Sequence, residues 1–223
     1  MSREEAYEQA AACYRRAGED MEAARCYRLA GAHRRAAEIY ASTGHYQQAA
    51  ESFADAGLPE LGAWLLAHHA NQPARARALL GAASQEDDRS QRPTEPPTAT
   101  RTQRGDQRLE PPPSVLRRQL ILARCEIAEG APADVIRPVI ADVCAALADQ
   151  SARSDQVTEE WAVALSEAAS RYDQAALVFA AAVRGGRYGA AQRWQAWSVR
   201  ILGTEIILPP TTAGTTAAAT AVA

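Results

Sequence analysis

The chain has 223 residues, 47% of them hydrophobic but only 6% aromatic, with 24 basic residues against 27 acidic ones. That is enough apolar material for one sizeable domain or two small ones, and the balance excludes a highly charged chain that could not bury a core. Residues 1–82, 83–113 and 114–223 each carry one more acid than arginine, which excludes a polybasic nucleic-acid arm.

Ser2 followed by Glu5 is a capping-box signature, so a first helix is expected from about Arg3 to Ala17. From Cys13 to Trp64 a 13-residue unit is then written four times. It places an aromatic at Tyr14, Tyr27, Tyr40 and Phe53, a glycine at Gly18, Gly31, Gly44 and Gly57, and alanine pairs at Ala23-Ala24, Ala36-Ala37 and Ala49-Ala50. In one unbroken helix a 13-residue step would turn each aromatic by ~220° from the last, so no apolar stripe could form. Breaking at each glycine gives helices near 20–30, 33–42, 46–56 and 60–70, with Pro59 in the first turn of the last. Within each, apolar residues at 0, +3, +4 and +7, as in Tyr46, Ala49, Ala50 and Phe53, make one face. Helices this short are below the ~12–15 residues that are even marginal alone, so packing on the next unit has to hold them. The alanine pairs are expected to seat close helix contacts, with the aromatics filling the space between.

A sixth helix is expected from Pro73 to Leu80, closed by Gly81. Trp64, Leu65 and Leu66 give the fifth a larger apolar face, suited to capping the stack or meeting another block. Residues 83–113 turn to Gln, Asp, Arg, Thr and Pro and read as a disordered linker, stiffened at Pro111-Pro112-Pro113. A second helical block, 114–208, follows: Val115 to Glu129, a helix opened by Pro132 or Pro138 and running to about Ala148, and one begun by Asp155 or Thr158. Tyr172, Ala175, Ala176 and Phe179 then repeat the earlier spacing, and Ala190-Ala191 with Trp194 repeat its core. The β-prone segment Thr204–Leu208 either folds back or offers a short edge, and residues 209–223 form a Thr/Ala tail expected to be disordered.

The expected fold class is therefore all-α: antiparallel helical-hairpin repeats in two blocks joined by a linker. The units Ala11-x-x-Tyr14-x-x-Ala17-Gly18, Ala24-x-x-Tyr27-x-x-Ala30-Gly31, Ala37-x-x-Tyr40 and Ala50-x-x-Phe53-x-x-Ala56-Gly57 resemble the short helical repeats of tetratricopeptide-type and soluble-NSF-attachment-protein-type proteins. Two units here span 26 residues against 34 for the common tetratricopeptide repeat, so the resemblance implies a solenoid-like fold and a protein-binding role, with no groove residue carried across.

Chemistry is hard to find. GxSxG, GxxxxGK[ST], HExxH and the dinucleotide glycine fingerprint are all missing, and Gly185-Gly186-Arg187-Tyr188-Gly189 lacks the lysine of a phosphate loop and reads as a helix connector. His68 and His69 point ~100° apart on a helix, too far to chelate one ion together, and read as last-turn cations. Cys13, Cys26, Cys125 and Cys144 show no CxxC pairing and read as buried reduced thiols. All basic residues are arginine and Asn71 is the only asparagine, a bias expected of a GC-rich, bacterial source. The reading is a cytoplasmic, non-enzymatic adaptor without cofactor or metal, binding a protein or peptide partner and neither nucleic acid nor membrane. The repeat phase that varies most between units names the candidate partner-binding residues Tyr7, Asp20, His33 and Tyr46. The rival reading is a structural or oligomerisation module, and a third is a peptide- or small-molecule-sensing regulator.

Overall fold

A computed structural model describes residues 2–90 (backbone only over 84–90), 113–150 and 156–207. These form eleven α-helices and one short 3-10 turn, with no strand among the described residues. They cluster into two compact units, Met1–Val139 and Ile140–Ala223.

In the first unit α1 (Arg3–Ala17), α2 (Asp20–Leu29), α3 (His33–Ser42), α4 (Tyr46–Asp55), α5 (Pro59–His68) and α6 (Pro73–Ser90) each pack on the next in the chain. The alanine pairs make this possible: Ala23, Ala24, Ala36, Ala37 and Ala49 are wholly buried, and their small side chains let helix backbones come close. One close approach falls at Gly62 of α5, where an added Cβ would sit 2.7 Å from the Ala50 carbonyl oxygen.

Each repeat ends by the same backbone device. The residue after the repeat glycine donates its N–H to the carbonyl of the repeat aromatic: Glu19 to Tyr14 (2.9 Å), Ala32 to Tyr27 (2.9 Å), His45 to Tyr40 (2.8 Å) and Leu58 to Phe53 (2.8 Å). This Schellman closure needs a left-handed residue, and Gly18, with φ +79°, supplies the first. The starts are plainer. Among α1 to α5, α1 alone has a capping box, Ser2 Oγ accepting from the Glu5 N–H and Glu5 from that of Ser2, whereas α2 to α5 open without a side-chain cap.

The aromatics do not all fill the core. Tyr40 is 3% exposed and Phe53 8%, but Tyr14 is 41% exposed and Tyr27 only half-buried. The principal packing partner of α1 is α2 alone, so Tyr14 lacks the second flanking helix that Tyr40, on α3 between α2 and α4, has. Another difference lies in α6, which runs through Gly81 to Ser90. Gly81 costs a helix only about 1 kcal/mol relative to alanine, and Ala82 and Ala83 carry it on. The remainder of the expected linker, 91–112, lies outside the described residues.

Helix α7 (Pro113–Ala128) packs on α5 and α6 and buries Leu116, Leu120, Ile121 and Cys125, so the larger apolar face of α5 meets another helix. A 3-10 turn (Ala133–Ile136) leads into α8 (Arg137–Ala148), which crosses from the first unit into the second.

In the second unit α10 (Tyr172–Arg184) packs between α9 (Gln156–Ala168) and α11 (Ala190–Leu202). Phe179, Trp194 and Trp197 form its aromatic core, with ring centroids 5.4–5.7 Å apart. The Gly185–Gly189 stretch is a connector, and it also finishes α8. The Arg187 guanidinium donates to the carbonyls of Ala146, Leu147 and Asp149, and Gly185 lies so close that an added Cβ would stand 1.9 Å from the Leu147 oxygen. Segment 204–207 folds back on α11: the Ile206 N–H donates to Ser198 Oγ (3.2 Å) and Trp194 Nε1 donates to the Ile206 carbonyl (2.6 Å). Leu208 and the tail lie outside the described residues.

Candidate functional site

The four phase-chosen residues are set by the repeat geometry. Asp20, His33 and Tyr46 are the first residues of α2, α3 and α4, while Tyr7 falls inside α1 because that helix starts earlier. None is buried, and each has a different neighbour. The Arg3 guanidinium lies 5.6 Å from the Tyr7 ring centroid, and Arg15 lies 3.3 Å from an Asp20 oxygen. His33 Nδ1 is 3.9 Å from Asp55 Oδ2, too far for a hydrogen bond, and has no other partner among the described residues. Tyr46 stacks on His69, centroids 4.9 Å apart. The residues are thus laid out one per helix rather than gathered into a single pocket.

Tyr46 belongs to a larger constellation that repeat phase could not reveal. His69 meets His68 edge-on (4.8 Å), His68 stacks on Trp64 (4.9 Å), and Arg124 of α7 donates from Nε to His68 Nδ1 (3.4 Å). Partial burial, and after it the Arg124 charge, hold the His69 pKa below the usual histidine value. Both histidines pack as aromatic rings at the end of α5, and for His69 the depressed pKa favours the neutral ring over the last-turn cation expected of it. Arg124 brings a positive charge to that helix end.

Shallow clefts open over α2, α3 and α5, each between the two helices that flank it. Over α2, between α1 and α3, a cleft of about 340 Å³ has Tyr27 as its floor, and Arg35 crosses to Glu8 at 3.5 Å. Over α5, between α4 and α6, a cleft of about 320 Å³ is floored by Leu66 and crossed by Arg75 to Glu51 at 3.6 Å. Over α3, between α2 and α4, the cleft is about 410 Å³, lined by Met21, Arg25, Arg28, Leu29, Tyr40 and Gln48. A larger one, about 550 Å³, lies where the α4–α5 turn meets α6 and α7, with Leu58, Leu61 and Leu79 inside and the Arg117–Glu60 ion pair (3.4 Å) at its edge.

The second unit uses its charges to fasten helices. Glu159 of α9, 2% exposed, is gripped through both oxygens by Arg193 of α11 at 2.8 and 2.7 Å, and Glu167 accepts from Trp197 Nε1 at 2.7 Å and from Arg200. Such tightly paired carboxylates act as struts between helices. The thiols are quiet as well. Burial raises the pKa of Cys125 and Cys26 and pushes Cys144 up to about 11, leaving them protonated at neutral pH and poor nucleophiles. Of the four thiols expected to be buried, Cys125 is; Cys26 and Cys144 are half-buried and Cys13 is exposed. Among the described residues no three His, Cys, Asp or Glu side chains gather where they could hold a metal ion, and no helix is long and apolar enough to cross a membrane.

No family model, no curated protein and no solved structure matches the chain.

Proposed function

We propose that the chain is a non-enzymatic, cytoplasmic adaptor or scaffold of the tetratricopeptide-like α-solenoid kind, binding a protein or peptide through the surface of its N-terminal helical array. The observation that carries this reading is the repetition itself. Four helix ends close by the same backbone bond and three buried alanine pairs seat the helices. The varied residues Asp20, His33 and Tyr46 meanwhile open successive helices at one repeated position. A frame that spends its invariant residues on packing and its variable ones on an unburied row is built to present side chains. Shallow clefts of about 320–550 Å³ suit side chains of a partner better than a fully enclosed small molecule.

The test is cross-linking of the full-length protein to its partners in native lysate, followed by mapping of the linked residues. The expected outcome is one partner linked to α1–α4 and lost when Tyr7, Asp20, His33 and Tyr46 are all changed to alanine at unchanged helicity. A partner linked only to the second unit, or indifferent to the four changes, would overturn it.

One observation favours the rival reading, an oligomerisation module. Leu177 and Val199, each 52% exposed, and Leu202, 45% exposed, leave apolar surface open on the second unit. A stable oligomer in sedimentation that dissociates on Leu177→Ser and Val199→Ser, with no partner on the array, would replace the adaptor reading.

A further inference from the structure

The three second-neighbour clefts of the array are not equivalent. Those over α2 and over α5 are each spanned by an arginine–glutamate bridge, Arg35 to Glu8 and Arg75 to Glu51, so their charges are satisfied within the fold. The cleft over α3 has no such bridge: among the described residues, no hydrogen bond or ion pair joins α2 to α4. Its lining holds two arginines, Arg25 and Arg28, and no acid. Arg25 shares Glu22, three residues back on its own helix at 2.6 Å, while the Arg28 side chain has no partner among the described residues. Beside Arg28 stands Leu29, 60% exposed, and the floor is made by Met21 and Tyr40.

We infer that the cleft between α2 and α4 is a docking site for a partner peptide segment that places an apolar side chain against Leu29, Met21 and Tyr40 and a carboxylate between Arg25 and Arg28. The charge of the lining selects the occupant. Arginines three residues apart lie side by side on a helix and can share one carboxylate, whereas a basic segment would meet two like charges of which only Arg25 has a counter-ion, Glu22. The apolar floor asks for Leu, Ile, Met or Phe close to that acid. Contacts of this kind give modest affinity and strong salt dependence, because the arginines stay largely in water. The inference rests on the reading of the array as a binding surface and names the chemistry of what it binds.

The test uses the full-length chain as target for a displayed library of random 12-residue peptides. Expected are enriched sequences with Asp or Glu within four residues of Leu, Ile, Met or Phe. A representative synthetic peptide should bind at least tenfold more weakly as its Glu→Gln version. R28E and L29S should each weaken it at least tenfold, at unchanged circular dichroism and melting, while R16E, at an exposed arginine on α1, changes it less than twofold. Both changed positions are solvent-facing, so lost folding is not a confounding result. Enriched peptides without acids, or binding indifferent to R28E and L29S, would overturn the inference; if those peptides are still lost on changing Tyr7, Asp20, His33 and Tyr46, the adaptor reading survives without it. No enrichment over bare matrix overturns the inference as well, and leaves the adaptor reading to the cross-linking experiment. Sedimentation of the same samples covers the remaining occupant: a dimer abolished by R28E would assign the cleft to a second copy of the chain and overturn the assignment to a partner peptide.

Discussion

Truncating the repeat tyrosines one at a time should give a graded loss of stability along the array. Tyr40 is 3% exposed and sits in the cluster formed by Ala23, Ala24, Ala36, Ile39 and Ala49. Removing its ring strips about 150 Å² of buried apolar surface, which at about 25 cal/mol per Å² is about 4 kcal/mol. That agrees with the 3–5 kcal/mol typical of large-to-small aromatic changes in cores, roughly the same range. Tyr27 is half-buried beneath the Arg35 guanidinium, 5.8 Å from its ring centroid, and Tyr27→Ala should cost about half as much, ~2 kcal/mol. Tyr14, 41% exposed, should cost about 1 kcal/mol or less. Because two units unfold in one chain, a single melt mixes them, and native-state hydrogen exchange read by peptide is the better assay. Peptides from α2 to α4 should lose protection in the order Tyr40→Ala, Tyr27→Ala, Tyr14→Ala. Equal losses at Tyr14 and Tyr40 would refute the reasoning, since the stabilising role of the repeat aromatic would then not follow its burial.

Two glycines on neighbouring helices should answer oppositely to alanine. Gly62→Ala drives a Cβ to 2.7 Å from the Ala50 carbonyl and should destabilise the first unit by about 2 kcal/mol or more; Gly81→Ala, with nothing within 4 Å, should stabilise α6 by about 0.5–1 kcal/mol, both read from urea unfolding. His69 should titrate below an exposed histidine in an NMR pH series. A depressed folded pKa means that its contribution is present above about pH 6.5 and lost as pH falls through the folded value, so first-unit stability should drop towards pH 5 and drop less in His69→Phe. Near pH 8 a thiol reagent should modify Cys13 first, and the buried Cys125 and the high-pKa Cys144 last; fast modification of Cys125 in the folded chain would contradict its burial.

Most helix limits could be read to within a residue or two because glycine and proline punctuate the array. Gly18, Gly31, Gly44 and Gly57 end helices by taking left-handed φ, and Pro59 and Pro73 begin them. Gly81 misled for the complementary reason: glycine in a helix is a modest cost and not a stop, and only tertiary context tells the two apart. The exposure of Tyr14 was hidden because phase fixes which face a residue occupies and leaves open whether a second helix covers that face. The Trp64–His68–His69 seam owes its shape to Arg124, 56 residues beyond His68, and no local pattern announces such a pairing. The α2–α4 cleft, by contrast, had left a trace. Arg34 has Glu38 four residues on, but the positions three and four away from Arg28 are Ala24, Arg25, Gly31 and Ala32. An arginine without a helical counter-ion, next to an exposed leucine, is a feature that scanning for repeat phase passes over.

The backbone closure at each repeat glycine has a consequence for how such an array can grow. Every unit carries its own stop, made between the aromatic's carbonyl and the N–H just past the glycine, and the next helix starts without needing a side-chain cap. A duplicated 13-residue block would therefore bring a complete joint with it wherever it was inserted. Parity then governs the result. Clefts join a helix to its second neighbour, so one added block would exchange the sides on which all downstream helices lie, and two would restore them. Length variants of this chain that keep their downstream surface should differ by multiples of 26 residues.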